Sequence, residues 1–203
     1  MMLKGERLAT LLDSSQPGDD PLMIIPKPDI RELRKTGSAS IDLRLGTWFA
    51  VLRQSRVSML DISKTNDTGP SEHMLMKMHY VAFGDMFVLH PRSFVLGVSL
   101  EWLRLPANLA GYVTARSSWG RRGLIIATAV GIHPGFTGCL TLELSNVGET
   151  PVALYPGMAI CQFFIHQVET TSEKLHKSRY DGLRRPSLGS IELDEVAKKI
   201  LRK

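Results

Sequence analysis

The chain has 203 residues, 43% of them hydrophobic and 22% charged, the makeup of one soluble domain able to bury a single good core. Its formal charge of +5 and pI near 9.4 suit an anionic ligand, but apart from Arg121-Arg122, Arg184-Arg185 and the tail the basic residues are scattered, so charge alone does not separate a nucleic acid from a nucleoside triphosphate. No apolar run approaches the roughly 20 residues a membrane-crossing helix needs, and the opening MMLKGERLATLL lacks a secretory layout, so a cytosolic protein is expected.

Leu8, Leu11 and Leu12 at helical spacing predict a short amphipathic helix over 5–12, ended by the break at 14–21. Residues 23–28 are apolar and then proline-punctuated, as in an edge strand. Over 38–44, Ile41 and Leu43 alternate with Ser40, Asp42 and Arg44, which predicts a strand with one polar face. Strands are expected at 48–52 and 57–62, and a polar surface loop at 63–77. Met74, Met76 and Met78 fall at alternate positions, as on one face of a strand, where methionine fills irregular gaps. Two apolar runs over 88–105 are interrupted by Pro91, and Pro106 opens a turn. Many short strands with Gly and Pro turns favour an all-β barrel or sandwich.

The stretch 112–146 reads as strand, polar basic turn, buried strand, tight turn, strand. Its turn, Arg116-Ser117-Ser118-Trp119-Gly120-Arg121-Arg122-Gly123, is rich in hydrogen-bond donors, with glycines that let a ligand approach the backbone, and this suits phosphate. An apolar run follows over 124–130, and Gly131, Pro134, Gly135 and Gly138 mark a reversal. Leu140, Leu142 and Leu144 then alternate with Thr141, Glu143 and Ser145, so one carboxylate sits on a polar strand face. Cys139 and Cys161 lie within apolar strand patterns and read as packing residues of a reducing compartment. Tyr155-Pro156-Gly157-Met158 has the central residues of a type II turn, joining 152–154 to 159–168. On the latter strand Gln162 shares a face with Ile160 and Phe164 and needs a partner, either backbone or ligand. Residues 170–189 have the polar, Gly- and Pro-containing composition of a mobile closing segment. Over 190–203, Leu193, Val196, Ala197, Ile200 and Leu201 recur at helical spacing behind Ser190, which predicts a C-terminal docking helix.

RSSWGRRGL (116–124) and ATAVGIHPGFTGCLTLELSN (127–146) resemble the central motifs of the dCTP deaminases, a family of the trimeric dUTPase superfamily. SIDLRLG (40–46), FVLHPRSFVLGVSLEWLRLPANLAG (87–111) and SRYDGLRRPSLG (178–189) resemble further family segments in the same order. The resemblance implies one domain over 1–203, an all-β distorted barrel or jelly-roll of the dUTPase-like type with short flanking helices. It also implies a homotrimer whose sites are shared between subunits.

Deaminating cytosine requires an activated water at C4, a group that carries protons to the ring nitrogen and then to departing ammonia, and donors that hold charge. The H-x-E and P-C-x-x-C signature of the zinc deaminases is absent, and two isolated cysteines do not make that cage. The resemblance implies a zinc-free route in which Glu143 shuttles protons, Ser117 and the backbone of Ala129 position the water, and Arg121 holds Glu143 ionised. It implies that Arg116, Ser118 and the Gly120 turn meet the triphosphate and that Arg179 reaches phosphate. Trp119, Thr141, Leu142 and Gln162 would complete the nucleotide contacts, with His133 at the sugar. Magnesium would ride on the phosphates. The implied partners are dCTP and dUTP, with dTTP as an inhibitor and neither nucleic acid nor membrane.

The chain also departs from its family. His133 stands where members carry an aspartate that meets the deoxyribose hydroxyl and, in phosphohydrolase relatives, helps activate water; a histidine places no fixed negative charge there. Thr128-Ala129-Val130-Gly131 replaces the His-Arg pair of strict dCTP deaminases, and with FTGCLTLELSNV it leans towards the bifunctional, dUMP-forming branch. In the tail the family's lysine and glutamine become Arg179 and Leu183, and Leu183 has lost an amide. The leading expectation is deamination of dCTP to dUTP. The alternatives are a bifunctional enzyme that forms dUMP and diphosphate, and a nucleotide-binding homologue with impaired catalysis.

Overall fold

Alternation of apolar and polar residues becomes antiparallel sheet. The structure, a computed structural model, describes residues 1–13, 20–53, 59, 72–127, 131–169, 180–189 and 194–201. In chain order the elements are α1 (Gly5–Asp13), β1 (Met23–Ile25), α2 (Ile30–Thr36), β2 (Ser40–Arg44), β3 (Trp48–Leu52), α3 (Glu72–Leu75), β4 (Met76–Tyr80), β5 (Phe87–Leu89) and β6 (Phe94–Arg104). They continue with β7 (Leu109–Ala115), α4 (Ser117–Gly120), β8 (Leu124–Ile126), β9 (Gly131–Ile132), β10 (Thr137–Asn146), β11 (Val152–Leu154), β12 (Ala159–Gln167) and α5 (Glu195–Leu201).

One sheet runs β4-β3-β6-β10-β8, with β1 on β6 as well; a second runs β2-β12-β7-β9; β11 and β5 form a ribbon. No sheet path closes on itself among the described residues, and the all-β reading with short flanking helices holds. The sheets bury their apolar faces in one cluster that includes Leu43, Phe49, Leu103, Leu142 and Phe163. Burying each such side chain contributes roughly 1.5–3 kcal/mol. The two larger sheets are tied where Leu45, just past β2, bridges Ser99 of β6.

The first helix and the strands at 48–52 and 152–154 form as expected. Gly157 adopts φ 91° and Met158 N–H donates to Tyr155 O at 3.2 Å, as a type II turn requires. Other elements differ from expectation. A helix, α2, occupies 30–36: Asp29 Oδ1 accepts from the N–H groups of Arg31 and Glu32, and Gly37 closes the helix at φ 62°. The described end of the predicted loop at 63–77 is helix α3 and the start of β4, so Met74 sits in a helix apart from Met76 and Met78. Of the run at 124–130, the described residues 124–127 hold a three-residue strand, β8, within which Ile125 is 43% exposed. Gln162 and Phe164 share a face, but the register shift between Ala159 and Cys161 turns Ile160 into the core. Among the described residues of helix α5, Val196 is 66% and Ile200 73% exposed rather than buried, and Asp194 Oδ1 accepts from Ala197 N–H at its start. The expected break at 14–21 lies largely outside the described residues, as do the strand at 57–62 and Ser190 and Leu193.

Candidate active site

Glu143 comes from the middle of β10, whose burial alternates along its whole length, so that Leu140, Leu142 and Leu144 enter the core. The opposite face is not solvated. Cys139, Thr141 and Glu143 on that face, all half-buried, line a cavity of about 330 Å³ together with His133. Its apolar walls are Phe94, Leu96, Ile132, Phe136, Leu140, Leu183 and Leu188, and Tyr180 and Ser187 complete the polar rim. Most of a ligand's surface would be apolar contact there, with a few polar groups setting its orientation. Burial pushes the Cys139 thiol up, with Arg184 opposing, and it pushes the Cys161 thiol up to about 12, so both thiols are neutral near pH 7.

Two local features build the cavity. The turn after β9 brings His133 back towards β10: Phe136 N–H donates to His133 O, and Gly135, at φ 82°, donates to Leu105 O. Residues 180–189 run along the first residues of β10, where Gly182 N–H donates to Thr137 O at 2.7 Å and Cys139 N–H donates to Leu183 O at 2.7 Å. Gly138 adopts φ 135°, and a side chain there would stand 3.1 Å from Leu183 O, so the two backbones meet at a position only glycine fits. Beyond the crossing, the Arg185 guanidinium lies 4.1 Å over the Trp48 ring, whose other neighbour is Tyr80, edge-on at 5.2 Å.

The basic turn is held elsewhere. Ser117–Gly120 forms a single helical turn, α4, with Ser117, Ser118, Gly120 and Arg121 exposed. Arg116 Nη1 pairs with Asp42 Oδ2 at 3.1 Å, and Arg122 donates to Ser118 O at 2.8 Å. Trp119 packs on the core and its indole Nε1–H donates to Ala159 O at 2.9 Å, so its ring anchors the turn. Gln162, opposite Thr114 and Asp42 in the sheet register, donates from Nε2 to Ser40 Oγ at 3.2 Å; its partner is neither backbone nor, in this chain, a cavity group. Strand β8 links the two regions, since it follows the turn and pairs with β10 just past Glu143, whose carbonyl accepts from Ala127 N–H.

The structure therefore gathers Glu143, Thr141 and His133 in one cavity. Arg116, Ser117, Ser118, Trp119, Gly120, Arg121 and Gln162 are absent from its lining. Leu142 is fully buried behind the lining and has only its backbone to offer a ligand. Ala129 and Arg179 lie outside the described residues. Tyr180, Ser187 and Cys139 line the cavity although the sequence did not single them out as site residues. Tyr180 and Ser187 sit within the SRYDGLRRPSLG segment, and Cys139 shares the parity of Thr141 and Glu143 on β10, which was the available signal. Asp42 was read as a solvated strand residue and proves to be the partner of Arg116.

An antiparallel β fold thus carries a half-buried carboxylate in an apolar cavity and, apart from it, a basic turn. The fold matches the solved 2′-deoxycytidine 5′-triphosphate deaminase of Agrobacterium tumefaciens at TM-score 0.57 and 21% identity, over 81% of this chain and 48% of that one. The chain thus spans about half the length of that solved protein. A dCTP deaminase-like family model matches residues 19–168. Proteins named dCTP deaminase, dUMP-forming, from Dictyoglomus turgidum, Mycobacterium tuberculosis and Persephonella marina are similar to this chain. The first is 39% identical over 79% of this chain and 82% of its own length. The second is 41% identical over 73% and 78%, and the third 32% over 96% and 99%. The chain belongs to the dCTP deaminase-like family.

Proposed function

We propose that this protein is a cytosolic enzyme that deaminates dCTP and carries the product on to dUMP and diphosphate. The observation that carries the reading is Glu143, a half-buried carboxylate among apolar side chains beside Thr141 and His133. A carboxylate in such a place holds and releases protons within reach of a bound ring, and little water competes for them. Glu143 takes a proton from the attacking water as oxygen bonds to C4. It gives that proton to the ring nitrogen, then takes the proton of the new C4 hydroxyl and passes it to the amino group, which leaves as ammonia as the C4 carbonyl forms, so that one water and one amine are exchanged. Ser117 and the Ala129 backbone position the water, and Arg121 keeps Glu143 ionised. The names of the relatives move the leading reading from dUTP to dUMP as product.

Guanidinium groups, hydroxyls and N–H donors in the Arg116–Arg122 turn suit phosphate oxygens, and its positive charge repels a cation, so magnesium is part of the substrate, carried on its phosphates. Arg179 and Ser118 contribute to the same grip. Because the turn is outside the cavity lining of one chain, the reading includes a homotrimer in which a second copy brings its turn to the cavity.

A second reading stops at dUTP. It is favoured by His133, which lines the cavity where family members hold a carboxylate. Glu143→Gln tests the shared first step: deamination is expected to be abolished while dCTP binding is largely retained, since the amide keeps the shape and loses the proton. Near-parental turnover by that variant would end the proposal.

A further inference from the structure

Strand β6 departs from regular pairing opposite the residues that face the cavity. Cys139 pairs with Trp102 and Thr141 with Val98, so Ser99, Leu100 and Glu101 together stand opposite Leu140 alone. Within this bulge the Leu140 N–H donates to Ser99 Oγ at 2.8 Å, and the Ser99 hydroxyl donates in turn to Glu101 O at 2.8 Å. Ser99 and Glu101 are each only 2% exposed. The bulge is fastened on its far side as well. Arg44 donates to the Glu101 carboxylate from its backbone N–H at 2.7 Å and from Nε at 2.6 Å, and the backbone of Ser99 bridges Leu45.

The residues on either side of Leu140 are Cys139 and Thr141, which line the cavity, and Glu143 follows two positions later on the same face. We infer that Ser99 is a positioning residue for the cavity, its hydroxyl standing in for the main-chain partner of Leu140 and fixing how Thr141 and Glu143 enter. The inference rests on the proposed role of Glu143. Only a hydroxyl of this size accepts from an N–H and donates to a carbonyl at once, so alanine or valine leaves both groups buried without a partner. Relief comes from a tilt of β10 or an added water, and either moves Glu143 relative to the bound ring.

The test compares Ser99→Ala, Ser99→Val and Ser99→Thr with Glu143→Gln in the full chain, measuring kcat, KM and direct dCTP binding on protein whose folded fraction is known. Ser99→Ala and Ser99→Val are expected to lower kcat by about ten- to hundredfold, the scale of a misplacement near 1 Å, with dCTP affinity within about threefold of the parent. Ser99→Thr, which restores the hydroxyl, is expected to keep kcat within about threefold. A residue of merely structural importance would reduce the folded fraction and leave kcat per folded molecule unchanged. Parental kcat in folded Ser99→Ala or Ser99→Val overturns the inference, as does a folded Ser99→Thr that loses turnover. Should alanine and valine prevent folding, loss of turnover in folded Ser99→Thr still overturns the inference. Inactive Glu143→Gln alongside fully active Ser99→Ala rejects the positioning role only, whereas active Glu143→Gln rejects the reading on which it rests.

Discussion

Glu143 and Asp42 occupy the same kind of position, a carboxylate alternating with apolar neighbours on a strand, yet they meet different surroundings. Asp42 remains at the surface and holds Arg116, while Glu143 faces a cavity roofed by residues far away in sequence. The difference lies in what packs over each strand face. His133 lines the same cavity, at the position where the resemblance puts an aspartate. His133→Asp restores a fixed acceptor, and we expect it to tighten dCTP by up to about tenfold, near the ~1 kcal/mol of one recovered hydrogen bond, and to raise dUMP formation. Parallel measurement of affinity and of both products checks this, and a folded variant weaker in every respect would reject that view of His133.

Among elements, the contact between β10 and residues 180–189 controls the shape of the cavity. Gly138→Ala places a methyl against the backbone of Leu183 at a positive φ. We expect it to loosen the 180–189 segment, seen as faster tryptic cleavage after Arg184, since Pro186 blocks cleavage after Arg185, and as a higher KM for dCTP; unchanged cleavage would show that the crossing does not hold the segment. The sequence made β10 and the type II turn legible because alternation and Pro-Gly chemistry are local. Helix α2 was missed: Asp29 as cap and Gly37 at its end were the available signals, but its short, largely polar run carries little periodicity. The brevity of β8 was not legible, because an apolar run does not reveal how far its pairing with β10 extends. Helix α5 shows the opposite failure: helical spacing predicts a buried stripe but cannot say on which surface, or whether on this chain at all. The Ser99 bulge depends on a register between strands about forty residues apart, which no local pattern encodes.

Taken whole, one chain supplies a cavity with a half-buried carboxylate and, outside its lining, a basic turn. If neighbouring copies complete each other's sites, two individually inactive variants will rescue one another. Refolding Glu143→Gln together with Arg116→Ala should restore about a quarter of parental activity, the share of sites in randomly mixed trimers that receive both intact residues. Activity no higher than that of either variant alone would place the complete site within one chain. The central claim, that this cavity turns dCTP into dUMP, is tested most directly by incubating the protein with dCTP and magnesium and resolving dCTP, dUTP, dUMP and ammonia over time. The account predicts dUMP and ammonia rising together with no pool of free dUTP; accumulation of dUTP would contradict the second step, and dCTP left intact would contradict the claim entirely.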